Sequence, residues 1–206
     1  LINVDGARNL ATICRQFNTT LLHISTDFVF DGSKTTPYLE SDITNPQSVY
    51  GTTKRDGELA IINTMQAYFI IRTSWLYSQF GNNFMKTMLR LAHEKTSLSV
   101  VDDQIGSPTH AVDLAAMLMT IIQSKSTAYG IYHFSNQGNT SWYGFAQKIF
   151  ELNKVLIPLH PIATAQYPTP AKRPQYSVLD VSKIESTFKV SIKNWDIALE
   201  QHTNKA

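Results

Sequence analysis

This sequence of 206 residues contains one cysteine, no cluster of basic residues and no long apolar segment. Cys14 therefore has no partner for an internal disulfide, which fits a reducing, cytoplasmic setting. No apolar run approaches the roughly 20 residues that cross a bilayer as a helix, so no membrane span is predicted. Because the 18 Lys and Arg residues are scattered and the net charge is only +2, no nucleic-acid partner is expected.

The sequence also lacks a glycine-rich phosphate-binding loop. Its nine glycines nowhere form the spacing G-x-G-x-x-G or G-x-x-G-x-x-G. Dinucleotide-binding folds place that loop after their first strand, where its backbone N–H groups face a pyrophosphate. This chain opens instead with a helical pattern and without a methionine, so we expect it to be the later part of a longer protein.

Apolar segments of strand length alternate with helical patterns, which indicates an α/β domain with a parallel sheet. Segments 20–25 and 67–73 are apolar nearly throughout, as in strands that are covered on both faces. Between them, a long turn-rich segment, 26–49, precedes a predicted helix over 50–65. Further helices are predicted over 1–17, 83–93, 111–124, 141–152 with Ser141 as N-cap, 182–188 and 194–202, further strands over 98–101 and 130–135, and an ordered loop over 164–176. Gly6, within the first helix, is predicted to mark a close packing contact.

Tyr50 and Lys54 lie four positions apart at the predicted start of a helix, so both side chains share one face. A nearby ammonium stabilises a phenolate and lowers its pKa from about 10, which makes the phenol a better proton donor near neutrality. The spacing alone is a weak signal. A tyrosine that packs at a helix start beside a solvated lysine explains it equally well.

Polar residues follow two of the predicted strands. Ser25 to Gly32 reads STDFVFDG, and Arg72 to Tyr77 reads RTSWLY. Sites in parallel α/β sheets form beyond the carboxyl ends of strands, and a right-handed crossover would bring both ends near Tyr50. The sequence therefore predicts a site at this edge of the sheet.

The ordered motifs STDFVFDG, PYLESD, NPQSVYGTTKRDGE, IIRTSWLY and DDQIGSPTHAVDLA resemble those of the dTDP-4-dehydrorhamnose reductase family, within the extended short-chain dehydrogenases. The resemblance runs from Asn3 to about Leu179. It implies a Rossmann-like, doubly wound parallel sheet without its N-terminal part, and a small C-terminal α/β substrate-binding region. Residues 1–110 would be the remainder of the dinucleotide-binding domain, and 111–206 a mixed region that partly returns to the sheet and mainly binds the sugar nucleotide.

The resemblance also implies an activity, which is reduction of the 4-keto group of dTDP-4-dehydro-6-deoxy-L-mannose to dTDP-L-rhamnose with NADPH or NADH. Thr26 would hydrogen-bond the carbonyl oxygen of this nucleotide-linked 4-keto-6-deoxy sugar, and Tyr50 would protonate it. Lys54 would lower the pKa of Tyr50 and hold the nicotinamide ribose. The implied cofactor contacts are Ser25, Tyr50, Lys54, Arg72, Thr73 and Ser74. The implied substrate contacts are Thr26, Asp27, Trp75, Gln104 and Arg173.

Purely structural roles are also compatible with several of these residues. Thr26 and Asp27 would serve as turn caps, Trp75 as a core residue and Arg72 as the partner of a carboxylate. Asp102 and Asp103 lack further clustered ligands, so no metal site is expected.

The motifs are compatible with further functions as well. A dehydratase of the same superfamily would carry a glutamate where this chain has Phe28, and an epimerase is a further relative. A non-catalytic relative, the regulatory subunit of methionine adenosyltransferase, keeps the fold and binds a partner enzyme. The sequence is compatible with a homodimer.

Overall fold

A parallel sheet of three strands lies at the centre of the computed structural model, which describes residues 1–167 and 173–203. The strands of the described residues are β1 (Leu21–Thr26), β2 (Tyr68–Thr73), β3 (Leu76–Tyr77), β4 (Leu98–Val101), β5 (Ile105–Gly106), β6 (Thr109–His110), β7 (Gly130–His133), β8 (Thr140–Ser141) and β9 (Leu159–Ile162). The α-helices are α1 (Ala7–Gln16), α2 (Val49–Ile62), α3 (Phe84–Glu94), α4 (Ala111–Ser124), α5 (Trp142–Leu152), α6 (Ser182–Phe188) and α7 (Trp195–Thr203). None of the helices in these two ranges has the length and apolarity to cross a membrane.

The central sheet has the strand order β1-β2-β7, with both pairs parallel. Leu21 pairs with Tyr68 and Thr26 with Thr73, so β1 and β2 end at the same edge. Helix α2 joins these two strands, as the alternation of patterns predicts. The predicted α/β fold and the shared strand edge are confirmed.

Apolar side chains cover both faces of the sheet, which explains why β1 and β2 read as continuous apolar runs. On one face, Phe69 and Ile71 pack with residues of α4 and α6. On the other face, Ile70 packs with Ile61 of α2 and Ala11 of α1. The helix that carries Tyr50 is therefore fixed to the sheet by its buried side.

A second apolar core lies away from this sheet, between α3, β4, α5 and α7. Phe145 and Ile149 of α5 are fully buried at its centre. The short strand β4 pairs in parallel with β9 beside it. The division of the chain at residues 110 and 111 stays a prediction; α3 and β4, which precede that boundary, pack in the second core with the later elements.

The beginning of the chain differs from the predicted continuous α-helix over 1–17. Ile2–Gly6 forms a π-helical turn before α1 begins. The side chain of Asn3 donates a hydrogen bond to the Thr53 hydroxyl (3.0 Å), which ties this turn to α2. The close contact predicted for Gly6 is wrong, because an ideal Cβ there would meet nothing within 4 Å. The glycine that is crowded by this turn is Gly57 of α2, where a Cβ would lie 2.2 Å from the carbonyl oxygen of Asn3.

The later helices match their predictions closely. Helices α4 and α6 have the predicted bounds, and Ser141 caps α5 by accepting a hydrogen bond from the Gly144 N–H (2.9 Å). Residues 168–172 of the predicted loop, and residues 204–206 of the predicted C-terminal region, lie outside the described residues.

Candidate active site

The Thr26 hydroxyl lies at the carboxyl end of β1, at the edge where the sequence predicts a site. It donates a hydrogen bond to Oδ1 of Asp27 (3.0 Å) and accepts one from the Phe28 N–H (3.2 Å). The residues Asp27–Val29 form a 3-10 turn that Thr26 caps. Thr26 therefore does cap a turn, and the same bonds fix the direction of its hydroxyl toward the strand edge.

Tyr50 lies in the first turn of α2, close to this 3-10 turn. Ser48 caps the helix by accepting from the Gly51 N–H (3.1 Å). The Tyr50 ring packs edge-on against Phe28, with 5.8 Å between the ring centroids and 74° between the planes. The structure therefore brings Thr26 and Tyr50 together, although 24 positions of mostly turn-rich chain separate the two.

The pKa of Tyr50 differs in direction from the prediction. Tyr50 is 51% exposed, and the partial burial of its ring raises the pKa; the Thr26 hydroxyl opposes that rise and the Asp27 carboxylate adds to it. The Lys54 ammonium donates a 2.6 Å hydrogen bond to the carbonyl of Ile24 in β1. The predicted lowering of the Tyr50 pKa by Lys54 is therefore corrected for this structure, where the net shift is upward.

The pKa of Lys54 is shifted as well. Burial lowers the pKa of its ammonium, and the carboxylate of Glu58, one turn further along α2, raises it. Tyr50, Lys54 and Glu58 follow one another at four-residue intervals on α2, so they line one face of the helix. The ammonium has three N–H donors, and the bond to Ile24 uses one of them.

Asp27 is the most deeply buried carboxylate beside these hydroxyls, with 2% of its surface exposed. Burial raises its pKa to about 6, while hydrogen bonding by Ser177 and Thr26 lowers it. Its Oδ2 atom, the Ser25 hydroxyl and the Thr73 hydroxyl are buried and have no hydrogen-bond partner within the described residues. Buried polar atoms are nearly always paired, so three orphaned ones at a strand edge fit a polar ligand there.

Arg72, near the end of β2, and Ser74, just after it, form hydrogen bonds mainly to other residues of the protein. Arg72 is buried and forms three hydrogen bonds to Glu58, of 3.0, 3.3 and 2.7 Å. The Ser74 hydroxyl donates to the carbonyl of Ser107 (2.7 Å). The cofactor contacts of Arg72 and Ser74 stay predictions. Of the guanidinium nitrogens of Arg72, Nη1 is the one without a hydrogen-bond partner among the described residues.

Trp75 lies between this edge and the second core. Its φ of +45° is in the left-handed region, which non-glycine residues rarely adopt and which often marks functional segments. Its ring stacks on Trp142 at a centroid distance of 3.5 Å, with 7° between the planes. Gly106 lies so close to the indole that a Cβ there would be 2.5 Å from a ring carbon. The indole is therefore held between two segments.

A cavity of about 370 Å³ opens on the far side of Trp142. Gln104 lines it and donates a hydrogen bond to the Thr164 hydroxyl (3.0 Å). The Arg173 guanidinium lies 5.9 Å from the centre of the Trp142 ring. The structure therefore places Gln104 and Arg173 in one cavity, although they are far apart in sequence. The aromatic rings of Trp142 and Tyr167 also line this cavity.

Asp102 and Asp103 hold loops. Asp102 accepts a hydrogen bond from the Ser141 hydroxyl, and Asp103 accepts from the backbone N–H of Thr164 (2.9 Å). Neither belongs to a group of three or more acidic, His or Cys side chains that could hold a metal, within residues 1–167 and 173–203.

Comparison with known proteins identifies the family. Residues 1–206 match the RmlD substrate binding domain. The chain is 45% identical over 209 residues to dTDP-4-dehydrorhamnose reductase from Aggregatibacter actinomycetemcomitans, covering 97% of this chain and 71% of that protein. The chain belongs to the dTDP-4-dehydrorhamnose reductase family. A relative from Sinorhizobium fredii is 43% identical, with coverage of 95% and 69%.

Solved structures of the reductase family have the same fold. The crystal structure of dTDP-4-dehydrorhamnose reductase from Bacillus anthracis, in complex with NADP, superposes with a TM-score of 0.95 at 39% identity. It is matched over 99% of this chain and 72% of that chain. The predicted family and the Rossmann-like fold class are therefore confirmed.

Two features of the reductase site escaped sequence reasoning. Trp142 begins α5, far from Trp75 in sequence, and no pattern signals that the two rings stack. Ser177 follows a proline-rich segment, where nothing indicates that it lies against Asp27. The contact of Trp75 with Trp142 depends on the second core, whereas the Ser177 segment is held by backbone hydrogen bonds to Ile105 and Tyr38.

Proposed function

We propose that this chain carries the proton-delivering and substrate-binding part of an NADPH-dependent reductase, which converts the 4-keto group of dTDP-4-dehydro-6-deoxy-L-mannose to the alcohol of dTDP-L-rhamnose. The observation that carries the proposal is the meeting of Thr26 and Tyr50 at the end of β1, with Lys54 one turn along the same helix. The reductases named above are similar over nearly the whole chain, which supports the same reaction.

The reduction adds a hydride to the carbonyl carbon and a proton to its oxygen. NADPH, when bound, supplies the hydride. The single hydroxyl proton of Thr26 turns from Asp27 to the substrate oxygen when substrate binds. Tyr50 then transfers its phenolic proton to that oxygen as the negative charge develops. A phenol has an ordinary pKa of about 10, so Tyr50 is protonated near neutrality before this transfer, and the shift of its pKa is further upward. Lys54, one turn further along α2, carries the ammonium that would stabilise the phenolate left by this transfer, once it is directed at Tyr50.

The residues at the strand edge fit the nicotinamide end of NADPH. The buried hydroxyls of Ser25 and Thr73 have no partner among the described residues, and Lys54 retains two N–H donors after its bond to Ile24. Ser25, Lys54, Thr73 and Ser74 would hold this end of the cofactor. Its pyrophosphate would need a glycine-rich loop, a motif that these 206 residues do not contain.

The substrate extends from the strand edge into the cavity beside Trp142. Asp27 and Trp75 would bind the sugar, since a carboxylate accepts from sugar hydroxyls and an indole offers a flat apolar face. Gln104 and Arg173 would bind the nucleotide side. A guanidinium suits a diphosphate because its planar set of donors matches two phosphate oxygens.

Reduction is favoured over elimination by a dehydratase and over a non-catalytic role. Phe28 packs its ring against Tyr50 and has no group that transfers a proton, so elimination by a glutamate at this position is not available. Thr26, Tyr50 and Lys54 are all present and placed together, which favours a catalyst over a non-catalytic regulatory relative. A homodimer and a cytoplasmic location stay predictions; light scattering after size-exclusion chromatography tests the first.

A turnover assay with the 4-keto sugar nucleotide and NADPH, followed at 340 nm, tests the proposal. Tyr50→Phe removes the donated proton and keeps the ring against Phe28, so we expect kcat to fall by about 10²- to 10⁴-fold. The KM for NADPH should change much less than kcat, because Ser25, Lys54 and Thr73 remain to hold the nicotinamide end. The assay uses the chain joined to the glycine-rich unit of a relative, because the 206 residues contain no such motif. Undiminished reduction by Y50F contradicts the proposed role of Tyr50, and no turnover by the joined parent protein contradicts the proposed activity.

A further inference from the structure

Gly51, the residue after Tyr50, lies against the backbone of the 3-10 turn that follows β1. An ideal Cβ at Gly51 would be 2.2 Å from the carbonyl oxygen of Phe28 and 3.0 Å from Cβ of Pro46. Its backbone has no positive φ, so conformation does not require glycine here. Glycine is also a poor helix former. The close approach of the Phe28 carbonyl is therefore the physical reason for a glycine in the first turn of α2.

Phe28 contacts both hydroxyl-bearing residues of the site. Its N–H donates to the Thr26 hydroxyl (3.2 Å), and its ring packs edge-on against Tyr50. Its carbonyl is the group that faces Gly51. One residue thus connects the hydrogen-bond donor to the proton donor, through its backbone on one side and its ring on the other.

We propose that Gly51 and Phe28 are positioning residues, which set the separation between the Tyr50 phenol and the Thr26 hydroxyl. This inference rests on the proposed function, in which both hydroxyls act on one substrate oxygen. A methyl group at position 51 must move the start of α2 away from the Phe28 carbonyl by about 1 Å to reach normal contact, and displacements of that size can lower rates by about 10²-fold.

Gly57 provides a matched control within the same helix. A Cβ at Gly57 would also lie 2.2 Å from a backbone carbonyl oxygen, that of Asn3. This contact lies nearly two turns beyond Tyr50 and involves the π-helical turn rather than Phe28. Gly57→Ala therefore crowds α2 as much as Gly51→Ala does, without acting on the Tyr50 end. Gly6→Ala, which meets nothing, controls for the substitution itself.

The experiment compares Gly51→Ala, Gly57→Ala and Gly6→Ala in a form of the protein that binds NADPH, either the chain itself or the chain joined to the glycine-rich unit of a relative. We expect G51A to lower kcat by about 10- to 100-fold and to raise the solvent deuterium isotope effect, since proton transfer is misaligned. The KM for NADPH should stay within about twofold of the parent value, as should kcat of G57A and G6A.

Equal losses of kcat in G51A and G57A would overturn the inference, because they would indicate general damage to α2. If G51A does not fold, Phe28→Leu and Phe28→Tyr decide. We expect F28L, which loses the ring edge, to lower kcat while F28Y retains it; equal kcat values for these two contradict positioning by Phe28.

A readout without turnover separates this inference from the proposed function. In crystal structures of G51A and G57A, we expect the Tyr50 phenol to move relative to the Thr26 hydroxyl only in G51A. An unmoved phenol overturns the inference even if the parent reduces the sugar nucleotide. A parent that shows no reduction, together with a displaced phenol in G51A, contradicts the proposed function alone.

Discussion

The carboxylate of Glu58 and the guanidinium of Arg72 form a bidentate ion pair in the protein interior, with hydrogen bonds of 3.0 and 2.7 Å. Both side chains are at most 3% exposed. Glu58 lies on α2 and Arg72 on β2, so the pair connects the helix that carries Tyr50 to the central strand of the sheet. Arg72 also lies over the ring of Phe30, 5.1 Å from its centre.

We expect Glu58→Gln to lower the free energy of unfolding by about 3 kcal/mol, because it leaves the Arg72 charge buried without its counter-charge. Urea denaturation measures the change. Glu94→Gln is the control, since Arg90 and Glu94 form an ion pair on the exposed face of α3, where Nη1 of Arg90 donates to both carboxylate oxygens. That substitution should cost at most about 0.5 kcal/mol. Similar losses for both variants would contradict the importance of burial.

Because of Asp27, the free energy of unfolding should fall as the pH rises. Burial raises its pKa to about 6 in the folded protein, above the value near 3.8 of an unperturbed carboxyl. Between pH 4 and 6 the folded state therefore binds more protons than the unfolded state, so stability falls across this window and is then level with respect to this group. Asp27→Asn, which stays neutral, should remove this contribution and be more stable than the parent at pH 7.

Asp31 supplies the control for Asp27. Hydrogen bonds from Ser33 lower the pKa of Asp31 to about 2, so its carboxylate stabilises the folded state above pH 4 and loses that effect toward pH 2. At pH 7, Asp31→Asn should therefore destabilise the protein while D27N stabilises it. Urea denaturation of the parent and both variants from pH 4 to 8 measures these signs; a destabilised D27N at pH 7 would show that the Asp27 charge is favourable.

Thr26→Val should lower kcat by about 10²-fold, because it removes a hydrogen-bond donor to the developing oxyanion while keeping the shape of the side chain. Thr26→Ser keeps the hydroxyl and should retain most of the activity. Steady-state kinetics with both substrates distinguishes these variants. If T26V and T26S have equal kcat values, the Thr26 hydroxyl does not contribute to the reaction.

The 206 residues by themselves should bind NADPH weakly, with a Kd of about 1 mM or higher. The residues for the nicotinamide end are present, but no glycine-rich motif is available for the pyrophosphate. Isothermal titration measures the affinity, and joining the chain to the glycine-rich unit of a relative should strengthen it. Micromolar binding by the 206 residues would mean that another segment holds the pyrophosphate.

Much of the fold follows from local sequence patterns. The apolar runs of β1 and β2, and the helical patterns of α4 and α6, are strong local signals whose first and last residues are clear from the sequence. The π-helical turn at Ile2–Gly6 is not such a signal, since it is held by contacts of Asn3 with Thr53 and Gly57 on another helix. The two-residue strands β3, β5, β6 and β8 likewise depend on distant partners.

The candidate site was predictable to a similar extent. The motifs and the shared strand edge place Thr26 beside Tyr50, because parallel strands end together. The upward shift of the Tyr50 pKa was not predictable, since it depends on burial and on where Lys54 points. A carboxylate partner for Arg72 was one of the two roles that the sequence allowed, and the structure identifies it as Glu58. The stack of Trp75 on Trp142 depends on how the second core meets the sheet.

The strand register has a consequence for the order of folding. Leu21 pairs with Tyr68, and Phe69 with Gly130, so each pair of neighbours in the sheet is distant in the sequence. Long loops must close before such pairs gain any stability, and folding that depends on non-local contacts is slow. Because Thr26 ends one paired strand and Tyr50 begins the helix between the two, the hydroxyls meet only when that closure is complete, and a partly folded chain has no functional site to expose.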